Sequence, residues 1–534
     1  MNSLILKFQL IFIVLMIAVT TTVITGINRG RNLDQKVNLD TNFSFITQPL
    51  NWQLENKKTT AKLENQNIFQ SVFLPKKNIA TNRNNAESQS IPVLLYHGVT
   101  EKPDGENVTI DQFRNQLITL KKSGFQTITL EQLQKFNRGE INLPEKSFLI
   151  TFDDGRKDSF YNVDPILAAL NYNAVTYIIT KQSTGNAHST YYLTEEELKQ
   201  IQKTGRWEIE SHSKNAHDVV VIAEDGKRAS FYGNKQWVFS EKRLETDEEY
   251  RSRIRKDLSD SKQDLEKALN KKVTSIALPF GDYGQNSLNF DSAPHIMKEE
   301  ATRIYETVMY QTWADNFFNE TLFNYPNPEN KMIKRIDVKA SWNQQKLLEV
   351  LTTYEDKDLP FNDNFTNDNG WIKNWGEMSI QNKSLFIGSN DKANGSLVFL
   401  SGGQNWINYS FKAYLDWLGG EDATLVARFK DSENFVSCRI GDGQVVIAER
   451  VEGEDTILTT SKKDFVLQLY GTTLEMEVNG STVRCFVEGK EVAKTEKLSP
   501  FLNYGSIGFA SWDRNPHNSA ILIKNVSVEE ITKE

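Results

Sequence analysis

Between Ile91 and residue 355 the chain alternates short, almost continuously apolar runs with segments of helical period, and this pattern restricts the fold more than any other feature. A run such as Phe148 to Phe152 has no solvent-facing phase. Its strand must be covered on both faces, the condition of a parallel sheet flanked by helices. AVTYIIT at 174–180, Trp207 to Ser211, VTSIALPFG at 273–281 and segments at 304–311 and 332–338 repeat the pattern. Helical segments lie between them. Phe113, Leu117 and Leu120 make one apolar stripe, closed by Gly124. Asp158 to Leu170 reads as a helix, and Thr194 with Glu195, Glu196 and Glu197 opens another. Residues 247–270 make the longest, with Ile254, Leu258, Leu265 and Leu269 on one face, and Gln344 to Leu351 follows. Strands alternating with helices predict βαβ units. The polar motifs all fall at strand carboxyl ends, the rim where barrel active sites form, so the expected fold is α/β, a distorted (β/α) barrel.

From Phe361 the texture changes to short alternating segments such as SLVFLS, ATLVARFK, FVSCRI and TVRCFVEG. Asn-Gly pairs at 394–395 and 479–480 and Asp-Gly at 442–443 separate them, which predicts an all-β sandwich. The two cysteines, Cys438 and Cys485, sit on the apolar phase of Val436-Cys438-Ile440 and Val483-Cys485-Val487. Two small buried side chains is the preferred reading, with a disulfide as the alternative. Their distance from the histidines excludes a multi-cysteine zinc site. At the amino end, residues 8–27 form an apolar stretch between Lys7 and Arg29, long enough to span a bilayer as a helix. An uncleaved anchor is preferred to a cleaved signal, and either one exports the rest of the chain. Residues 28–90, rich in Asn, Lys, Gln and Thr, read as a flexible linker. The expected division is therefore 1–27 anchor, 28–90 linker, 91–358 barrel and 361–534 sandwich. A net charge of −8 with no basic stripe argues against a nucleic-acid partner.

Four strand-end motifs carry chemistry. Thr151-Phe152-Asp153-Asp154-Gly155 delivers two adjacent carboxylates to a turn, and alternation sends them in different directions, so one is free to ligate a metal and the other to act as a base. Each of these motifs also has a plain reading as a polar turn or a satisfied histidine, and only their combination outweighs it. His212 and His217 follow a strand five residues apart; on a helix they would diverge by ~140°, but a strand end and loop can bring them together. Two histidines and one aspartate are a common divalent ligand set with positions left open. Leu278-Pro279-Phe280-Gly281 ends a strand with an aromatic and a backbone N–H suited to an oxyanion. Leu94-Leu95-Tyr96-His97-Gly98 places a histidine where it can protonate a leaving group.

In this order the motifs resemble the polysaccharide deacetylase family, carbohydrate esterase family 4 or NodB-homology, over roughly residues 91–355. The resemblance implies metal-dependent N-deacetylation of a polysaccharide, with Asp153 as base, Asp154, His212 and His217 on a divalent ion, and zinc ahead of cobalt, nickel, iron or manganese. Two departures stand out. The histidines are five apart where many members have them four apart, and Ala277-Leu278-Pro279 lacks the arginine that usually steadies the base. Both departures, with the early Tyr96-His97-Gly98, resemble the poly-β-1,6-N-acetylglucosamine deacetylase branch, in which the first-strand histidine is the acid; that assigns His97. Arg335, in Lys334-Arg335-Ile336-Asp337, is the candidate replacement for the missing arginine. Tyr96, Pro279, Phe280 and Arg335 are expected to bind substrate. Residues 361–534 resemble concanavalin-like jelly-roll domains, which implies polysaccharide binding, with a spacer as the alternative. The competing functions are an O-acetyl esterase using the same site and a non-catalytic membrane-tethered carbohydrate receptor.

Overall fold

The structure is a computed structural model that describes residues 87–185, 189–312, 322–441, 443–462 and 468–531. The expected anchor at 8–27 and all but the end of the linker lie outside the described residues. Among the described residues no helix is long and apolar enough to cross a membrane.

Seven parallel strands form a closed ring. They are β1 (Val93–Tyr96), β2 (Ser147–Phe152), β3 (Ala174–Ile178), β4 (Trp207–Ser211), β5 (Ser275–Ala277), β6 (Thr307–Thr312) and β7 (Met332–Asp337). Neighbours run β1-β7-β6-β5-β4-β3-β2, and β2 returns to β1 with Tyr96 opposite Phe152. Alternation fills the interior with Val93, Leu149, Val175, Tyr177, Ala277, Met309 and Ile333. The opposite phase, including Leu94, Ile150, Phe152 and Ile209, packs under the helices.

Four helices open on the same device, a threonine N-cap with Gln or Glu three residues later. They are α1 (Ile110–Lys122), α2 (Leu130–Asn137), α3 (Glu195–Lys203) and α4 (Asp247–Leu269), capped by Thr109, Thr129, Thr194 and Thr246. Each reciprocal cap satisfies two orphan N–H groups and contributes about 1 kcal/mol. α5 (Ala293–Ile304) and α6 (Gln344–Thr353) complete the outer layer. Two expectations need correction. Asp158 to Leu170 is not one helix but two, Asp158–Tyr161 and Asp164–Leu170. Pro165, which lacks an N–H and clashes with the preceding turn, begins the second. The strand expected from 304 starts at Thr307, because Ile304 still belongs to α5.

The carboxyl-terminal third is two antiparallel sheets around one apolar core. One sheet includes β8 (Trp371–Trp375), β9 (Gly395–Leu400), β10 (Asp422–Asp431), β11 (Asn434–Gly441) and β12 (Ser506–Trp512), followed outward from β11 by Gln444–Val451 and Glu454–Lys462. Cys438 on β11 and Cys485 on Thr482–Val487 of the facing sheet form a disulfide, with Cα atoms 6.4 Å apart. The preferred reading of two unpaired buried cysteines is therefore corrected. Both side chains point inward from opposed sheets, at a separation a disulfide spans without backbone movement.

Candidate active site

The barrel rim is assembled by continuing the strand ladders into the motif residues. The Asp153 N–H donates to Tyr96 O at 3.1 Å, and the His212 N–H to Ile178 O at 2.8 Å. Because Leu149 faces the interior, alternation carries Thr151 and Asp153 up the same inner column. On β7, Ile333 faces inward and Arg335 follows in that column. The two columns meet at the top. Arg335 Nη1 and Nη2 donate to Asp153 Oδ1 and Oδ2 at 2.6 and 2.7 Å, a two-pronged pair 182 residues apart in sequence. Nη1 also reaches Thr151 Oγ1 at 3.3 Å, and the guanidinium lies 5.3 Å from the Tyr177 ring centre.

Asp154 leaves the strand in a left-handed conformation, φ +72°, which turns its carboxylate away from the column and toward the histidines. Asp154 Oδ1 lies 3.6 Å from His212 Nε2 and 3.4 Å from His217 Nε2. The three potential ligand atoms are all within 4.8 Å of one another. His212 Nδ1 is 2.8 Å from Ala277 O, a group that can only accept, so Nδ1 carries the proton and Nε2 presents its lone pair. Burial pushes the His212 imidazole down to about 4, against the pull of Asp153, so the ring is neutral at physiological pH, as a metal ligand must be. This donor set suits a divalent ion. His217 Nδ1 is buried without a hydrogen-bond partner among the described residues.

Burial pushes the Asp153 carboxyl up, but Arg335 and then His212 outweigh it and hold the group below the usual carboxylate range. Asp154 is likewise raised by burial and pulled well below that range by His217 and His212. His97, half-buried at the end of β1, lowers both groups further. The loop after it is fixed where the Gly98 N–H donates to Asn107 Oδ1 at 2.7 Å. Arg156 crosses so close that a Cβ on Gly98 would strike its guanidinium.

Ser213 (φ +67°) and Phe280 (φ +60°) share the left-handed backbone of Asp154. Such a conformation costs on the order of 1–3 kcal/mol at a non-glycine residue and concentrates at functional sites. The histidine loop is held by Asp257 of α4, whose Oδ1 accepts from the Asn215 N–H at 2.9 Å and whose Oδ2 accepts from Tyr232 Oη at 2.8 Å. Sequence reading passed over Asp257, although it lies on the buried stripe between Ile254 and Leu258, where an acid needs partners.

Of the expected substrate-binding residues, Phe280 is 59% exposed with its ring 5.5 Å from that of His217. Three others are corrected. Tyr96 is sealed in the core, its hydroxyl donating to Gln116 Oε1. Pro279 is buried under the turn. Arg335 is fully buried and spends its guanidinium on Asp153, out of reach of a ligand.

Residues 140–295 match the family model for polysaccharide deacetylase. This stretch includes both aspartates and both histidines of the cluster and leaves out His97 and Arg335. The poly-β-1,6-N-acetyl-D-glucosamine N-deacetylase of Escherichia coli (strain K12) is 28% identical over 178 residues, 31% of this chain and 26% of that protein. The protein of the same name from Staphylococcus aureus (strain MSSA476) is 29% identical over 193 residues, 36% of this chain and 58% of that one. The match thus spans less than two thirds of either relative. The solved structure of a de-N-acetylase from Aggregatibacter actinomycetemcomitans covers 49% of this chain and 100% of its own, at 19% identity and a TM-score of 0.40. The family match falls on residues 140–295, the part of the closed parallel barrel that carries both aspartates and both histidines, and makes that stretch similar to polysaccharide deacetylases.

Proposed function

We propose that residues 91–358 form a domain that hydrolyses N-acetyl groups from an N-acetylglucosamine polymer outside the cytoplasm. The observation that carries this reading is the meeting of an Asp-His-His donor set with a second carboxylate that a buried arginine keeps ionised. Asp154, His212 and His217 would hold a divalent ion, zinc first. When bound, such an ion lowers the pKa of a water and polarises a carbonyl.

The chain's own residues do the rest. Asp153 accepts the proton of the attacking water; Arg335 fixes its orientation and its charge. The Phe280 N–H, on the turn at the rim, supports the negative charge that develops on the acetyl oxygen. His97 delivers a proton to the departing sugar nitrogen, so the amine leaves neutral and acetate is the second product. The exposed Phe280 ring offers an apolar face to the sugar. A disulfide persists in oxidising compartments, which supports export, with residues 8–27 as the proposed membrane anchor.

The test is acetate release from β-1,6-linked N-acetylglucosamine, chitin and peptidoglycan oligomers, measured before chelation, after it, and after zinc is restored. Release that disappears with the metal and returns with it is expected. A metal-replete protein that frees no acetate from any of them rules the reading out, and release from O-acetylated sugars alone favours the esterase.

Asp257 sets the shape of the ligand loop, so Asp257→Asn is expected to weaken metal binding by roughly 10–100-fold. Competition against a chromogenic chelator measures this directly. Saturating metal should restore most of the turnover. An unchanged metal affinity would show that the loop holds its form without Asp257.

A further inference from the structure

The outer face of the sheet containing β8 to β12 gathers a second set of chemistry-bearing side chains, far in sequence from the barrel rim. The register sets Trp375 opposite Leu397, Gly395 opposite Trp512, and Trp512 opposite Asp422. Two residues along β10, Thr424 faces Arg439 on β11. Opposed residues share a face, as do residues two apart on a strand, so Trp375, Trp512, Asp422, Thr424 and Arg439 stand together. The alternate residues Val398, Ala423, Leu425 and Phe509 turn into the core, which identifies this face as the outer one.

One end of the face is covered: Ile372, Leu397, Phe399, Val426 and Phe429 pack with Tyr354 and Phe435. The other end is open. Trp375 is 38% and Trp512 43% exposed. β9 separates them, and beside Trp512 it carries Gly395, where a Cβ would collide with Ser511 O. The rings stand two strand spacings apart, ~10 Å across the sheet, and in successive rows, Trp375 level with the buried Leu397 and Trp512 level with Gly395, a span on the scale of a disaccharide.

Beside Trp512, the half-buried Asp422 accepts a hydrogen bond from Thr424 Oγ1 at 2.9 Å. Burial pushes this carboxyl up to about 6 despite Thr424 and Arg439, and Glu421 and Asp513 add further negative potential. Glu421 is itself paired with Arg514. Nearly all of the chain's net charge of −8 falls in residues 361–534. Tryptophan offers the best aromatic face for a cation, and a desolvated carboxylate next to it gains most from a positively charged neighbour. A neutral glycan would use the indoles and leave the acid with only Thr424 and Arg439 to offset its burial and the neighbouring Glu421 and Asp513.

We propose that this face binds the amine-bearing, partly deacetylated amino-sugar polymer, with Trp375 and Trp512 stacking on its rings and Asp422 meeting a protonated amine. The inference rests on reading the barrel as an N-deacetylase, since that reaction generates the amines. Holding the product strand on the same chain raises the local concentration of the acetylated stretches still to be cut.

The test uses the full-length protein and three chemically prepared polymers: partly deacetylated β-1,6-N-acetylglucosamine, its fully acetylated form, and a neutral β-glucan. Affinity electrophoresis should rank them in that order, with the first weakened by salt. A double variant, Trp375→Ala with Trp512→Ala, should lose at least about tenfold in polymer affinity. Asp422→Asn should keep binding but lose the preference for the amine-bearing polymer. Acetate release from a short oligomer should be unchanged in both, and near-native melting confirms folding. Undiminished polymer binding in the tryptophan variant, or equal binding of the neutral glucan by the unaltered protein, overturns the proposal. Because the polymers are made chemically, the binding result stands apart from the barrel's activity; failure of the unaltered protein to release acetate counts against the deacetylase reading alone.

Discussion

Replacing Asp153 with asparagine is expected to lower kcat for acetate release by roughly 10²–10⁴-fold, the usual contribution of a positioned general base. Metal content should be unchanged, because Asp154, His212 and His217 form the donor set and Asp153 stands beside it. The amide is nearly isosteric but cannot take a proton. It also leaves Arg335, which is fully buried, without its counter-charge. Breaking a buried ion pair from one side costs about 3–5 kcal/mol, so the variant should melt lower as well. Turnover at saturating substrate, metal analysis and a thermal scan read the three effects separately. A variant that retains its turnover would remove Asp153 from the base role.

Arg335→Met should be comparably severe by a different route. Here the negative partner stays buried and loses its cation. In the unaltered protein burial raises the Asp153 carboxyl, and Arg335 with His212 overcomes that and holds it below its ordinary value of about 3.9. A depressed carboxylate stabilises the folded state above the unfolded pKa, and that contribution disappears as pH falls through the folded pKa. Without Arg335 the burial effect dominates, so at neutral pH the variant should lose about 3–5 kcal/mol. The acidic limb of its kcat/KM profile should move to higher pH, since Asp153 then needs a higher pH to ionise. Removing both partners should cost less stability than removing either alone, which a double-mutant cycle by chemical denaturation measures. An unshifted acidic limb would mean that Arg335 acts only as scaffold.

The strength of the Arg335 effect follows from an arrangement that local patterns could only suggest. An arginine on the inward phase of an apolar strand, two residues after Ile333, must find a partner at its own depth. Sequence reading gives the residue two roles, replacing the missing arginine beside Asp153 and binding substrate, and the geometry agrees with the first. Ring closure decides the partner: β1 alone lies between β7 and β2, so Arg335 and Asp153 top inward columns one strand apart and reach each other across the end of β1. Tyr96 was misassigned for a related reason. A side chain one residue before a rim histidine points to the opposite face, into the layer beneath the helices, where Phe113 and Phe152 enclose it. The disulfide shows the same limit. Each cysteine was legible as inward-facing, and only the facing of the two sheets makes them partners.

What the sequence determined by itself was of short range. Apolar strands without a polar phase required a doubly covered parallel sheet, threonine caps set the helix starts, and TFDDG, the two histidines and PFG fell at strand ends in a fixed order. The tertiary structure alone decided which strand ends meet. It brought His212 and His217 onto Asp154 through a loop pinned by Asp257, and it gave Asp153 a cation from 182 residues away. The physical reason is one of range. Periodicity and capping are set within a few residues, whereas pairing between ionised groups depends on distance and burial, which exist only once the ring has closed.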